Sequence, residues 1–425
     1  MNYVLEQIID RINNAQRNRT GFVDAVFGIK KQEALNGTPV VLFGAGSLGE
    51  DLYSHLTSYG IFPVCFCDND ASKSGGSHCG IPIISFAELK KSHKNSLIVI
   101  ATLKYLGSIS DQLIGNGFYA ERIMFSKYSK ETNWLVAYYS IHGPVSKRIE
   151  HRHQCDTQTE LDILMQNEDK VLEAYKSFAD QKSKELFITL LALRASNAHF
   201  DLFKDFMLNF SEPIHEFGLF KYEGTPEDYY YFNNDVLSMS NNEIYVDVGA
   251  FDGDTVHTFI QACENQKLKY KHIYAFEPDP KCYNELVRNT SVYDNISHHQ
   301  AGLWSESKVL RFKSFDESLQ GTQGGAIDNT GDIEIQVVSL DDFLKGREVS
   351  FIKMDPPGNI MLEAMKGASG TIAKYKPKLA FAAYHSVAST FEVPLLVKSI
   401  CPDYQLYLRH NTYFLCDTDL FAVAG

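Results

Sequence analysis

The chain has 425 residues, 44% hydrophobic and 22% charged, which suits a globular protein of two or three domains rather than one core. Forty basic against 53 acidic side chains leave a net charge of −13, which repels phosphate backbones and argues against nucleic acid as the main partner. The longest apolar runs, such as Leu97–Ala101, are far too short to cross a bilayer.

The first twenty residues carry charges between apolar positions at helical spacing, so residues 1–35 are expected to be amphipathic helix and not a signal peptide. The eight cysteines (65, 67, 79, 155, 263, 282, 401 and 416) form no C-x-x-C pair and read as free thiols of a reducing compartment. A cytoplasmic protein with no membrane span is expected. The sequence leaves homo-oligomerisation open.

A buried strand at Val40–Phe43 runs into Gly44-Ala-Gly46-Ser-Leu-Gly49 and then a helix. Glycines at this spacing let a backbone approach a diphosphate at a helix N-terminus, and Asp68, ending the next strand, stands where a ribose-binding acid belongs. The other reading is a tight turn without a ligand. The segment "FCDNDASKSGGSHCGIPIIS" resembles the small nucleotide-sugar-binding domains of bacterial sugar acyltransferases. That resemblance implies a nucleotide-sugar, and not NAD, at Gly44, Gly46, Gly49 and Asp68. Residues 1–145 are thus expected to form a Rossmann-like domain and 146–240 a helical connector.

A second α/β unit opens at "NEIYVDVGAFDGDTV". Its turn holds Asp247, Gly249, Asp252, Gly253, Asp254 and Thr255. Carboxylates repel a diphosphate but suit a cation, and S-adenosylmethionine carries a sulfonium and an ammonium. Glu277 ends the following strand, where a carboxylate can accept both ribose hydroxyls.

In order, "VDVGAFDGDT", "YAFEPDP", "VVSLDDF", "IKMDPPG", "EAMKGA", "KPKLAFAAYH" and "EVPLLVKSICPDYQLYLRH" resemble the FkbM-type S-adenosylmethionine-dependent methyltransferases, over about 243–425. The resemblance implies a class I methyltransferase fold at 241–425: a doubly wound sheet with a C-terminal antiparallel hairpin. It implies O-methylation of a hydroxyl on a sugar, polysaccharide or other natural-product acceptor. It puts Asp247, Gly249 and Asp252–Thr255 at the methionine end of the donor, Glu277 on the ribose, and Ala301 and Gly302, ending the third strand, near adenine. Asp355 and His385 fall at the ends of the fourth and fifth strands.

At 355–358 that family usually has an acid, an aliphatic residue, Glu and Gly; here stand Asp355, Pro356, Pro357 and Gly358. Amide-directed methyltransferases also follow an acid or amide with prolines, but need an aromatic ring that Gly358 does not supply, so N-methylation is not expected. The two prolines read as a rigid exit from the strand. His385 is a residue type suited to act as a general base, and Asp355 either takes the proton or orients the hydroxyl. Lys353 is expected to pair with an acid. His298 and His299 point to opposite faces of a strand, and no metal is expected. The glycine-rich run 319–332 reads as an acceptor-covering loop or a solvated hairpin loop. Two rival readings stand beside this one: an NAD-dependent or nucleotide-sugar-modifying enzyme centred on Gly44–Gly49, and a non-catalytic or nucleotide-sugar-binding protein with a degenerate methyltransferase domain.

Overall fold

A computed structural model describes all residues except 18–20, 103, 127–156, 197–198, 211–230, 233, 315–325, 328–329, 357–359 and 411–417. The chain divides into two compact units: 1–9, 161–194 and 209–425 form one, and 10–160 with 195–208 the other.

The unit built on 10–160 contains a six-stranded sheet. Its strands are β1 (Val40–Phe43), β2 (Cys65–Cys67), β3 (Ser77–His78), β4 (Ile81–Ile84), β5 (Leu97–Ile100) and β6 (Ile123–Met124), in the order β3-β4-β2-β1-β5-β6. Every pair is parallel except the β3–β4 hairpin. β1 and β5 are fully buried along their length, as central strands covered on both faces must be, and both read as unbroken apolar runs.

The other unit is built on a seven-stranded sheet in the order β16-β17-β15-β14-β7-β8-β9. Its strands are β7 (Glu243–Val248), β8 (Tyr270–Phe276), β9 (Ile296–His299), β14 (Phe351–Met354), β15 (Lys378–Ala382), β16 (Tyr404–His410) and β17 (Thr418–Ala424). β7, β8, β9, β14 and β15 are parallel; β17 runs antiparallel between β15 and β16. This is the expected doubly wound sheet with a C-terminal antiparallel hairpin. Chain direction away from β7 reverses between β8 and β14, so a switch point opens at the carboxyl ends of these strands.

Local chemistry explains the joints. Asp279 caps helix Pro280–Thr290, whose first residue is a proline. Ser386 and Ser389 form a reciprocal capping box at helix Val387–Ile400, which starts the chain off the end of β15. Between β9 and β14 lies a separate four-stranded sheet of β10 (Gly302–Leu303), β11 (Lys308–Lys313), β12 (Ala326–Ile327) and β13 (Ile333–Val338), packed on Phe312, Ile335 and Val337. Most of the glycine-rich run 319–332 lies outside the described residues.

Helix Gln181–Ala195 belongs to the larger unit up to Arg194, and the preceding turn pairs with edge strand β16: Ala179 N–H donates to the Leu406 carbonyl, and Leu408 N–H to Ser183 Oγ. Arg409 locks this edge. Its guanidinium donates to both carboxylate oxygens of Asp235 at 2.7 and 2.9 Å, to Asp180 at 2.7 Å and to Ser183 at 3.0 Å. Burial is the largest influence on Asp180 and would raise it, but the hydrogen bonds from Arg409 and Ser183 and the Arg409 charge together outweigh it; at Asp235 the Arg409 hydrogen bond is the largest influence, and both carboxyls sit below their ordinary value. Arg409→Ala is expected to cost about 1–2 kcal/mol, since it strands the partly buried Asp180 carboxylate and removes the partner of the more exposed Asp235. Depressed carboxyls stabilise the fold above the unfolded value of 3.8 and lose that contribution as pH falls through the folded value. The wild-type advantage in urea melts should therefore shrink in acid.

Candidate active site at the switch point

Six of the expected site residues, Asp247, Gly249, Asp252, Gly253, Asp254 and Thr255, run from the end of β7 into the first turn of helix Asp254–Asn265. The turn bends through three left-handed residues, Gly249 (φ 76°), Phe251 (φ 45°) and Gly253 (φ 93°). Glycine is needed at two of them for space as well. A Cβ on Gly249 would stand 3.1 Å from the Asp355 carbonyl oxygen, and one on Gly253 would meet Thr290 Cγ2 at 2.8 Å. Phe251 is held in its uncommon conformation while its N–H donates to Glu277 Oε2 at 3.0 Å.

Glu277 follows β8 and is 7% exposed. Its second oxygen, Oε1, accepts from Asp279 N–H at 2.8 Å. Each carboxylate oxygen keeps a further lone pair, so the group can still accept two hydroxyls from one diol. Burial pushes its pKa up to about 7, against the pull of those two backbone N–H groups.

Asp247 is placed differently from the expectation of an acid lining a ligand. It is fully buried, and its carboxylate pairs with Lys353 Nζ at 3.3 Å and accepts from Thr255 Oγ1. Lys353 thus finds the acid partner expected for it. The other acids of the turn differ again: Asp254 is exposed, and Asp252 is partly exposed and accepts from Asp254 N–H at 3.2 Å. Ala301 and Gly302 do not end the third strand. β9 stops at His299, and Gly302 opens β10, which pairs with β13 in the separate small sheet. Gly302 still lies near the Glu277 strand end, for a Cβ there would be 3.7 Å from Pro278.

Asp355 and His385 come together at the ends of β14 and β15. His385 Nε2 lies 2.9 Å from Asp355 Oδ1. Tyr384, not singled out from the sequence, donates its hydroxyl to both Asp355 oxygens, at 3.1 and 3.3 Å. Arg194, from helix Gln181–Ala195, donates to the Tyr384 carbonyl. Burial alone would raise Asp355; the hydrogen bond and charge of His385, then Lys353 and Tyr384, outweigh it and hold the carboxyl below its ordinary value. An ionised Asp355 only accepts, so His385 carries its proton on Nε2 and presents Nδ1 as the free acceptor. Pro356 is buried, consistent with a fixed exit from β14; Pro357, Gly358 and Asn359 lie outside the described residues.

In the smaller unit Gly44 (φ 125°) lies against the Ala101 carbonyl oxygen, where a Cβ would stand at 2.6 Å. A Cβ on Gly49 would be 2.2 Å from the Gly44 carbonyl oxygen, whereas Gly46 faces open space. Asp68 braces this loop itself. Its Oδ2 accepts from Ala45 N–H at 2.9 Å and Lys73 Nζ at 3.1 Å, and Oδ1 accepts from Asp70 N–H at 2.9 Å. Two of the three glycines are therefore explained by packing alone.

His298 bonds Thr290 at 2.7 Å, and His299 stacks on Phe276 and meets Phe343 edge-on, where burial pushes its pKa down to about 4. Among the described residues no group of three or more His, Cys, Asp or Glu side chains stands together to hold a metal, and no helix is long and apolar enough to cross a membrane.

Comparison with known proteins agrees with this fold. Residues 247–415 match the family described as the methyltransferase FkbM domain. No curated protein matches the chain. Among solved structures, the chain is similar to methyltransferase FkbM from Methylobacillus flagellatus KT, with 19% identity and a TM-score of 0.54 over 98% of this chain and 99% of that one. It overlaps more loosely with precorrin-6y C5,15-methyltransferase from Geobacter metallireducens GS-15, at 11% identity and a TM-score of 0.27 over 44% and 82% of the two chains. The acid-ended strands β7, β8 and β14, with their 3-2-1-4-5-7-6 order along the sheet, and the family match to the same segment lead to one identification: this chain is a methyltransferase whose FkbM domain spans residues 247–415.

Proposed function

We propose that the protein transfers a methyl group from S-adenosylmethionine to a hydroxyl oxygen of a sugar, polysaccharide or related natural-product acceptor. The observation that carries this reading is the Asp355–His385 pair, placed at the same sheet edge as Glu277 and the Gly249–Thr255 turn. The residues present fit the donor. Glu277 keeps acceptor capacity for a ribose diol, the turn from Gly249 admits close backbone approach, and Asp252 and Asp254 give negative potential for a cationic end. When bound, S-adenosylmethionine supplies a methyl group already activated on a sulfonium.

What remains for the chain is alignment and proton removal. Asp355 orients the His385 ring through Nε2, and Tyr384 holds Asp355 in place. His385 Nδ1 takes the proton of the acceptor hydroxyl as the oxygen attacks, and Asp355 stabilises the imidazolium that forms.

The smaller unit is read as a docking module for the acceptor's carrier, with Gly46 as the point of backbone approach for a nucleotide-sugar. Calorimetry with S-adenosylmethionine, NAD and UDP-sugars in turn tests the whole reading. Uptake of S-adenosylmethionine alone or with a UDP-sugar is expected, and uptake of NAD alone would overturn it.

A further inference from the structure

Lys353 stands directly opposite Asp247 on the neighbouring parallel strand, and both are buried, with 2% and 0% exposure. A buried ammonium is held only where it is paired. Here Nζ lies 3.3 Å from Asp247 Oδ1, donates at 3.3 Å to the Gly249 carbonyl oxygen and sits 5.7 Å from the centre of the Tyr231 ring. Asp247 in turn accepts from Thr255, in the first turn of helix Asp254–Asn265. One ammonium thus reaches both ends of the turn, Gly249 directly and Thr255 through Asp247.

We propose that Lys353 is a positioning residue for the methyl donor: it clamps the Gly249–Thr255 turn, whose Phe251 N–H donates to Glu277, and through that turn keeps Glu277 placed to accept the ribose hydroxyls. The inference rests on the donor site described under Proposed function. The groups around it are Asp247, Asp252 and Asp254 on the β7 side, Glu277 and Asp279 after β8, and Asp355 with His385 and Tyr384 at the ends of β14 and β15. The Lys353 charge favours the ionised form of Asp247, Asp254, Glu277 and Asp355 alike. Without it, Glu277 would hold its proton to a higher pH and present a hydroxyl where the ribose needs an acceptor.

The test is calorimetric titration of the full chain with S-adenosylhomocysteine between about pH 6 and about pH 9, a span that brackets the Glu277 titration. That probe has no sulfonium, so attraction between the sulfonium and the nearby carboxylates does not enter the readout, and its ammonium is common to every titration compared. Lys353→Met is compared with the double variant Asp247→Asn/Lys353→Met, which removes both charges in near-isosteric form and keeps the fold where the single change strands a buried carboxylate. Wild-type affinity is expected to rise with pH as Glu277 ionises. In both variants the rise moves to higher pH, and affinity at neutral pH falls about five-fold. A double variant with the wild-type affinity and pH profile overturns the proposal, because an ion pair of purely structural value is replaceable by a neutral pair. A wild-type chain that binds neither S-adenosylhomocysteine nor S-adenosylmethionine overturns the donor site itself, and this inference with it.

Discussion

His385→Ala is expected to lower the rate of methyl transfer by about 10²–10⁴-fold while leaving donor affinity within a factor of about two, because it removes a base and no donor contact. Asp355→Asn should fall in the lower part of that range. The amide oxygen still accepts from His385 Nε2, but the charge that favours the imidazolium is lost. Tyr384→Phe removes only a hydroxyl that steadies Asp355, so its effect should be smaller than either. Rates and affinities measured separately, by label transfer and by calorimetry, check this. A His385→Ala enzyme with an undiminished turnover would move the base elsewhere; one with ten-fold weaker donor binding would make His385 part of the donor site.

Glu277→Gln is expected to weaken donor binding about a hundred-fold, since two charge-assisted hydrogen bonds to one diol are lost together. The same substitution has a second, opposite signature in the ligand-free chain. Glu277 is raised from 4.5 to about 7 in the fold, so the folded state holds a proton that the unfolded state has released. Its contribution to stability is fully present below the unfolded value and is lost as pH rises through the folded value. The wild type should gain about 3 kcal/mol on Glu277→Gln between pH 8 and pH 5, in urea melts at the two pH values. An advantage that is independent of pH would mean that Glu277 is ionised throughout and that its burial is relieved by the two backbone N–H groups alone.

The strands that carry the site were legible because their composition and their chemistry coincide. β7, β8, β14 and β15 are short apolar runs, and each delivers a polar residue at or just past its carboxyl end: Asp247, Glu277, Asp355 and His385. A different, period-two pattern runs through Lys308–Lys313 and Ile333–Val338, where alternate residues face the small core of Phe312, Ile335 and Val337. The glycines between these segments drew attention to a loop and away from a sheet. Ala301 and Gly302 were misplaced for a related reason: a run of residues compatible with a strand does not reveal where the chain leaves one sheet for another.

By itself the sequence determined the class of fold, the order of its motifs and the acids at the strand ends, since these follow from hydrophobic period and from residue type at turns. Only the tertiary structure decided which of these acids is ion-paired inside the fold and which is held by backbone N–H groups. Asp247 and Glu277 look alike in the chain, yet the register of β14 against β7 sets a buried ammonium across from Asp247, while Glu277 is held by the backbone N–H groups of Phe251 and Asp279. The physical reason is that charge pairing depends on distances across strands far apart in sequence, and in a low-dielectric interior those distances determine whether a carboxylate is spent on the fold or left for chemistry.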